Sequence, residues 1–397
     1  MMETKTATRL PGLDTLRAAA IILVLAYHYM VVVSGTSTFG FVTDIGWAGV
    51  DLFFVLSGYL IGNQILSPIA LGQKFSLKTF YMKRLLRTLP NYYFILAIYF
   101  IFPSDLAGQE TAPLWRFLTF TQNLGLRPGH TFTHSWSLCI EEQFYLVLPA
   151  MALLIARFKT FRKLGWIIIG AAIAAGMATR GLAWLDHGKA AINGSDYYEY
   201  IYYSSFARFD ELLPGVAIAM MKNFHPAAYS KLGQKGNLLF FIGLSSAGAI
   251  LYLFKMFLEV PGYGLGFYMP IFGYPLLAIS FAILTLSALS TTSLLHRTRL
   301  PGASRIALWS YSIYLAHKPI FKLVMPTLEK MHIDTSSIPG IAIILLAGIA
   351  GGWLLFWLVE RPFLLLRAKM YPAIALSGPT KAIPVWADAQ SEKHAAQ

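Results

Sequence analysis

The stretch "LDTLRAAAIILVLAYHYMVVV", Leu13 to Val33, has the length and apolar character of a membrane-spanning helix, yet it contains Asp14, Arg17 and His28. A charged side chain at the centre of a bilayer costs roughly 2.5–3.5 kcal/mol on the insertion scale, so such residues face a protein interior and serve a purpose there. Eleven residues make about three helical turns, which puts Arg17 and His28 on one face, roughly 16 Å apart along the axis. Asp14 lies one turn below Arg17 and is placed to pair with it.

The rest of the chain continues the theme. Of its 397 residues, 56% are hydrophobic and 13% charged, against about 25% charged in a soluble domain. The fold class expected is all-α, a polytopic membrane helix bundle. Windows of about 20 apolar residues suit the roughly 30 Å hydrocarbon core. About ten transmembrane helices are read, at 12–33, 46–66, 88–104, 135–156, 164–185, 206–222, 237–257, 266–289, 305–325 and 339–360. Residues 1–370 form one transmembrane domain in this reading. The first apolar run is too long for a signal peptide and lacks a cleavage pattern, so it is read as a retained span. Residues 371–397 are polar without periodicity and are expected to be a disordered cytoplasmic tail.

The net charge of +13 is a topology signal in this context, not a nucleic-acid footprint. Lys74, Lys78, Lys83, Arg84 and Arg87 follow the second span, Arg157, Lys159, Arg162 and Lys163 the fourth, and Arg297, Arg299 and Arg305 the eighth. The intervening loops are poorer, with Lys189 alone after the fifth span, although Lys322 and Lys330 fit the pattern less cleanly. Both termini are therefore expected on the cytoplasmic side. Cys139 is the single cysteine, which excludes an internal disulfide and a multi-cysteine metal site. The histidines are scattered singly, so no metal is expected.

Polar residues recur at corresponding depths in other spans. The second span carries Asp51, the fourth Glu141 and Glu142, the sixth opening Arg208 and Asp210, and the ninth His317. With His28 these are expected to converge in the outer half of the bundle. Interhelical ion pairs would explain some of them, but such pairs are costly to bury and add little that apolar packing could not. On the cytoplasmic side, "FYMKRLLRTLP" sets Lys83, Arg84 and Arg87 on or beside one helical face, a pattern that serves the inside rule and also suits phosphate oxygens.

The motifs "LDTLRAAAIILVLAYH", "GVDLFFVLSGYLI", "FYMKRLLRTLP", "HSWSLCIEEQFYLVLP", "RFDELLPG", "SYSIYLAHKPIF" and "VERPF" occur in this order between residues 13 and 363. Together they resemble the acyltransferase-3 family of integral membrane O-acyltransferases. The resemblance implies transfer of an acyl group, often acetyl from acetyl-CoA, to a hydroxyl of a glycan, lipid-linked sugar or small molecule. It also implies ten core helices, an Arg and His pair in the first and a Glu-rich fourth, which fall here on Arg17, His28, Glu141 and Glu142. Some relatives carry an appended esterase-like domain; with only a short tail after the core, the chain resembles the stand-alone form.

Residues and resemblance combine into one expected mechanism. Lys83, Arg84 and Arg87 dock the phosphates of acyl-CoA, with Arg17, held by Asp14, positioning the donor. His28 acts as general base on the acceptor hydroxyl, since its ordinary pKa lies within reach of working pH. Glu141 orients the imidazole, with Glu142 or Asp51 as substitute. Trp136, Ser137, Arg208, Asp210, Tyr311 and His317 are assigned to the acceptor side, with a structural network as the alternative for Arg208, Asp210 and His317. An acyl-enzyme at His28 or Ser137 is left open. The expected partners are the lipid bilayer, acyl-CoA and a hydroxyl-bearing glycan, in a bacterial inner membrane. A proton-coupled transporter is the alternative from another class, because intramembrane His, Glu, Asp and Arg also suit proton relays.

Overall fold

The computed structural model describes residues 10–188, 194–260 and 264–372. Lys189 and the tail beyond residue 372, both used in the sequence reading, lie outside the described residues.

Among the described residues the regular structure is helical, apart from a two-residue antiparallel ladder that pairs Glu259 with Leu265. Its long helices are α1 (Pro11–Tyr29), α2 (Ala48–Ala70), α3 (Leu77–Ile101), α4 (Trp136–Ile155), α5 (Phe161–Ala183), α6 (Leu213–Phe224), α7 (Gly236–Phe257), α8 (Tyr274–Leu289), α9 (Ala303–Lys330) and α10 (Ile338–Leu355), followed by α11 (Arg361–Met370). Seven helical stretches among the described residues are long and apolar enough to cross a membrane, beginning with Pro11–Ser34 and ending with Ile338–Met370. The stretches holding α3, α6 and α9 fall outside that group. The run expected at 305–325 lies within the unbroken α9, whereas those at 88–104 and 206–222 take a different form. α3 starts at Leu77, so Lys78, Lys83, Arg84 and Arg87 lie within the helix and lower its hydropathy. The sixth run is interrupted by a 3-10 turn, Phe209–Leu212, and resumes as the 12-residue α6.

Local chemistry sets several helix ends. Pro11 occupies the first turn of α1, where its missing N–H costs nothing. Ser76 caps α3 by accepting from the Thr79 N–H at 3.2 Å. At the far end of α1 the backbone widens into a π turn, Met30–Ser34, closed by Gly35 with φ 66°.

α1 is central, packed on α2, α8 and α9, while α2 also packs on α4, α6 and α8. The crossing of α2 and α6 depends on two reciprocal glycines. A Cβ on Gly58 would run into the Leu212 carbonyl, and one on Gly215 into the Val55 carbonyl. Small residues let backbones approach this closely. Gly58→Ala is accordingly expected to destabilise the protein by about 1–3 kcal/mol through overpacking. Thermal unfolding in detergent checks this, and an unchanged transition would show that the crossing can spread.

Candidate active site

Two cavities open along α1, termed inner and outer for the N-terminal and C-terminal ends of that helix. The inner one, about 1020 Å³ of empty space including its solvent-open part, is lined by Arg17, Arg84, Arg87, Glu141 and Glu142 together with Ser57, Ser137, Tyr145, Tyr311 and Tyr314. The outer one, about 710 Å³, is lined by His28, His134, Lys318, Trp136 and several tyrosines. Val50 of α2 lines both, so the cavities share a wall.

In the inner cavity the charge is unevenly spent. Arg84 lies 3.7 Å from Glu142 and 4.0 Å over the Tyr145 ring. Glu141 accepts from Tyr145 Oη at 2.5 Å and from Ser57 Oγ at 3.3 Å. Arg17 and Arg87 form no ion pair within 4.0 Å among the described residues. Three guanidinium groups around one concave surface, two of them uncommitted, suit a polyanion such as a phosphate ester. The Asp14 carboxylate does not close on Arg17, and its Oδ2 is buried without a partner. Lys83 does not line the cavity. Being next to Arg84 in sequence, it points about 100° away around the helix. Tyr311, expected on the acceptor side, lines this inner cavity and donates to the Thr88 carbonyl at 2.7 Å. Ser137 does likewise, with its Oγ 2.6 Å from Tyr314 Oη.

In the outer cavity His28 meets two other imidazoles. Ring centroids stand 4.8 Å apart for His28 and His317, 5.3 Å for His134 and His317, and 6.2 Å for His28 and His134. None of the three carboxylates expected beside His28 is there. Glu141 and Glu142 belong to the arginine cavity, and Asp51 bonds to Arg208. The reason is geometric: Glu141 and Glu142 lie more than a turn into α4, whereas His134 precedes that helix and stays level with His28.

His134 is the residue that sequence reading passed over. Its Nε2 lies 3.2 Å from the Leu315 carbonyl. Pro319 explains that acceptor, because proline has no N–H to offer the carbonyl four residues earlier. A proline in "LAHKP" therefore frees a carbonyl for a histidine 181 positions away. The proline itself was a visible signal; its partner was not.

Arg208 and Asp210 belong to a separate buried ionic layer. Arg208 reaches Asp51 at 2.9 Å and Glu211 at 2.5 Å, with its guanidinium 3.8 Å over Tyr274 and 4.7 Å over Tyr202. Asp210 takes a bidentate bond from Arg180, both contacts at 2.7 Å. Trp136 joins the two regions, lining the histidine cavity with its ring 5.4 Å from the Arg208 guanidinium. Among the described residues no group of His, Cys, Asp or Glu is arranged to hold a metal ion.

The acyltransferase-3 family model, described as an acyltransferase domain, matches residues 10–357. The chain belongs to the acyltransferase-3 family. Among its curated relatives, the peptidoglycan O-acetyltransferase OatA of Listeria monocytogenes is 29% identical over 341 residues, covering 80% of this chain and 50% of the relative. O-acetyltransferase OatA of Staphylococcus aureus is 30% identical over 341 residues, with 79% and 51% covered. The chain thus spans about half the length of the curated relatives it matches. No solved structure matches. The acyltransferase-3 membership and these O-acetyltransferase relatives do not favour the transporter alternative.

Proposed function

We propose that the protein is a membrane O-acyltransferase that moves an acetyl group from acetyl-CoA, bound from the cytoplasmic side, to a hydroxyl of a glycan. The observation that carries this is the placement of Arg17 and His28 on one helix, each opening into its own cavity, with Val50 as the common wall. In this reading the helices form about ten spans of one domain in a bacterial inner membrane, with both termini cytoplasmic. The names of the OatA relatives suggest peptidoglycan or another bacterial glycan as acceptor.

Arg17, Arg84 and Arg87 hold the donor's phosphates, with arginine's fork matching their oxygens. The pantetheine arm runs past Ser57 and Ser137 toward the wall at Val50, bringing the thioester to His28. His28 Nδ1 faces the Val24 carbonyl at 3.1 Å, which leaves Nε2 to take the hydroxyl proton. The hydroxyl oxygen bonds to the thioester carbonyl carbon, the carbon–sulfur bond breaks, and the thiolate recovers the proton.

The test is purified protein in nanodiscs with labelled acetyl-CoA, following CoA release and label on peptidoglycan fragments and other bacterial glycans. Arg17→Ala is expected to weaken acetyl-CoA binding about 10- to 100-fold, the worth of a charge-assisted hydrogen bond. Wild-type protein that neither binds acetyl-CoA nor releases CoA would overturn the reading.

A further inference from the structure

The outer cavity adjoins a second space. This vestibule, about 930 Å³ of empty space including its solvent-open part, shares Val31, Gly129, Thr133 and Lys318 with the histidine cavity. One face of α9 runs along it, since Lys318, Lys322, Met325 and Glu329 recur at helical spacing and all line it. Lys318 stands where the two spaces meet, and Glu329 lies about three turns, roughly 16 Å, further along the helix.

The charged groups here differ in how they are committed. Lys322 Nζ donates to the Leu106 carbonyl at 3.1 Å. His130 Nε2 lies 3.5 Å from Glu110, and Asp105 accepts from Ser104 Oγ at 3.0 Å. Lys318 is half-buried and makes no hydrogen bond or ion pair among the described residues. An ammonium group has three protons to donate and nothing to accept with, so its strongest partner is an anion. Among the described residues no carboxylate lines the histidine cavity to supply one. In the proposed orientation this end of the bundle faces outward, where the positive-inside rule expects few lysines, so topology does not account for Lys318. Much of the remaining cavity wall is aromatic. Trp47, Trp136, Tyr202 and Tyr203 offer apolar faces with polar tips, which suit the mixed surface of a sugar ring.

We propose that Lys318 is the acceptor-binding residue of the transfer and that the acceptor is an acidic glycan. Its ammonium group holds an anionic substituent of the sugar, carboxylate or phosphate, at the junction of vestibule and histidine cavity, while a hydroxyl of the same sugar reaches His28. This rests on the acyl-transfer reading above. The position of Lys318 favours an acceptor role over one at the thioester. The vestibule offers a glycan its own way in, whereas the arginines that suit the donor line the inner cavity. A neutral sugar filling the same space strips water from the ammonium group without replacing it, so the acidic form is preferred.

The experiment measures kcat/KM in nanodiscs with acetyl-CoA and matched pairs of bacterial glycan fragments. Each acidic fragment is paired with its neutral form, the methyl ester for a carboxylate and the dephosphorylated sugar for a phosphate. Wild type is expected to favour an acidic fragment over its neutral form by about 10- to 100-fold, the range for a hydrogen bond to a charged group. Lys318→Met is expected to erase most of that preference, and Lys318→Arg to keep most of it. If Lys318→Met does not fold, Lys318→Gln supplies the same comparison. A wild type that acylates an acid and its neutral form equally overturns the inference alone, as does one that turns over acetyl-CoA without acylating any acidic fragment. A Lys318→Met protein that slows on both members of a pair alike, with the preference intact, also overturns it; Lys318 then acts on the reacting atoms or holds a lipid phosphate. A wild type inert toward acetyl-CoA overturns the acyl-transfer reading, and this inference with it.

Discussion

A folded His28→Ala protein is expected to lose acyl transfer by about 10²–10⁴-fold, the usual contribution of a general base, while its affinity for acetyl-CoA stays near that of wild type. The separation of effects follows from the two cavities. His28 lines the outer one, whereas the arginines that suit the donor's phosphates line the inner one. In the proposed mechanism, removing the proton acceptor at His28 raises the barrier to hydroxyl attack and leaves the arginines of the inner cavity in place. Single-turnover CoA release and a separate binding titration measure the two quantities. Turnover surviving in His28→Ala would remove His28 from the chemistry and point to direct activation by another group.

The second large effect concerns stability. Arg208, Asp51 and Glu211 are each 0% exposed, and Arg208 supplies the ion-pair contacts to both carboxylates. Arg208→Met keeps much of the volume but strands two buried carboxylates, and it removes the cation from the faces of Tyr274 and Tyr202. Breaking a buried pair from one side costs about 3–5 kcal/mol. The variant is expected to unfold far below the wild-type temperature or to accumulate poorly. Neutralising the carboxylates as well, in Arg208→Met/Asp51→Asn/Glu211→Gln, is expected to recover much of the loss. An Arg208→Met protein with unchanged thermal unfolding and impaired glycan acylation would return Arg208 to the acceptor side.

What could be read from the sequence was spacing within one helix, although the Asp14–Arg17 pair expected on α1 does not form. Arg17 and His28 are separated by a fixed number of residues on a regular rise, so their common face needed no partner to establish it. The apolar runs gave most helices in the same way, since burial in lipid demands continuous backbone hydrogen bonding along each span. Charge misled where it sat inside a helix. Lys78 to Arg87 read as preceding the third span, 88–104, with only Lys83, Arg84 and Arg87 set on a helical face, and they are the first part of the continuous α3. Arg208 to Glu211 read as part of a continuous span, whereas Arg208 ends one short helix and Asp210 and Glu211 lie in the 3-10 turn that follows, all three buried. Contacts between helices were beyond the sequence. Glu141 chose Tyr145 and Ser57 over His28, and Asp51 chose Arg208, because register and rotation of α2 and α4 decide those pairings. His134 needed knowledge of a carbonyl freed by Pro319 on a distant helix.

One feature of α1 bears on selectivity. Arg17 and His28 stand on an unbroken helical segment, with no glycine or proline between them and the π turn beginning only after Tyr29. Their spacing is that of a rigid gauge, fixed by roughly 1.5 Å per residue and not adjustable by loop movement. In the proposed mechanism a thioester donor anchored at one mark would thus be sorted by reach. A carrier whose arm fell short of the second mark would offer its carbonyl to the wall at Val50, however well its phosphates were held.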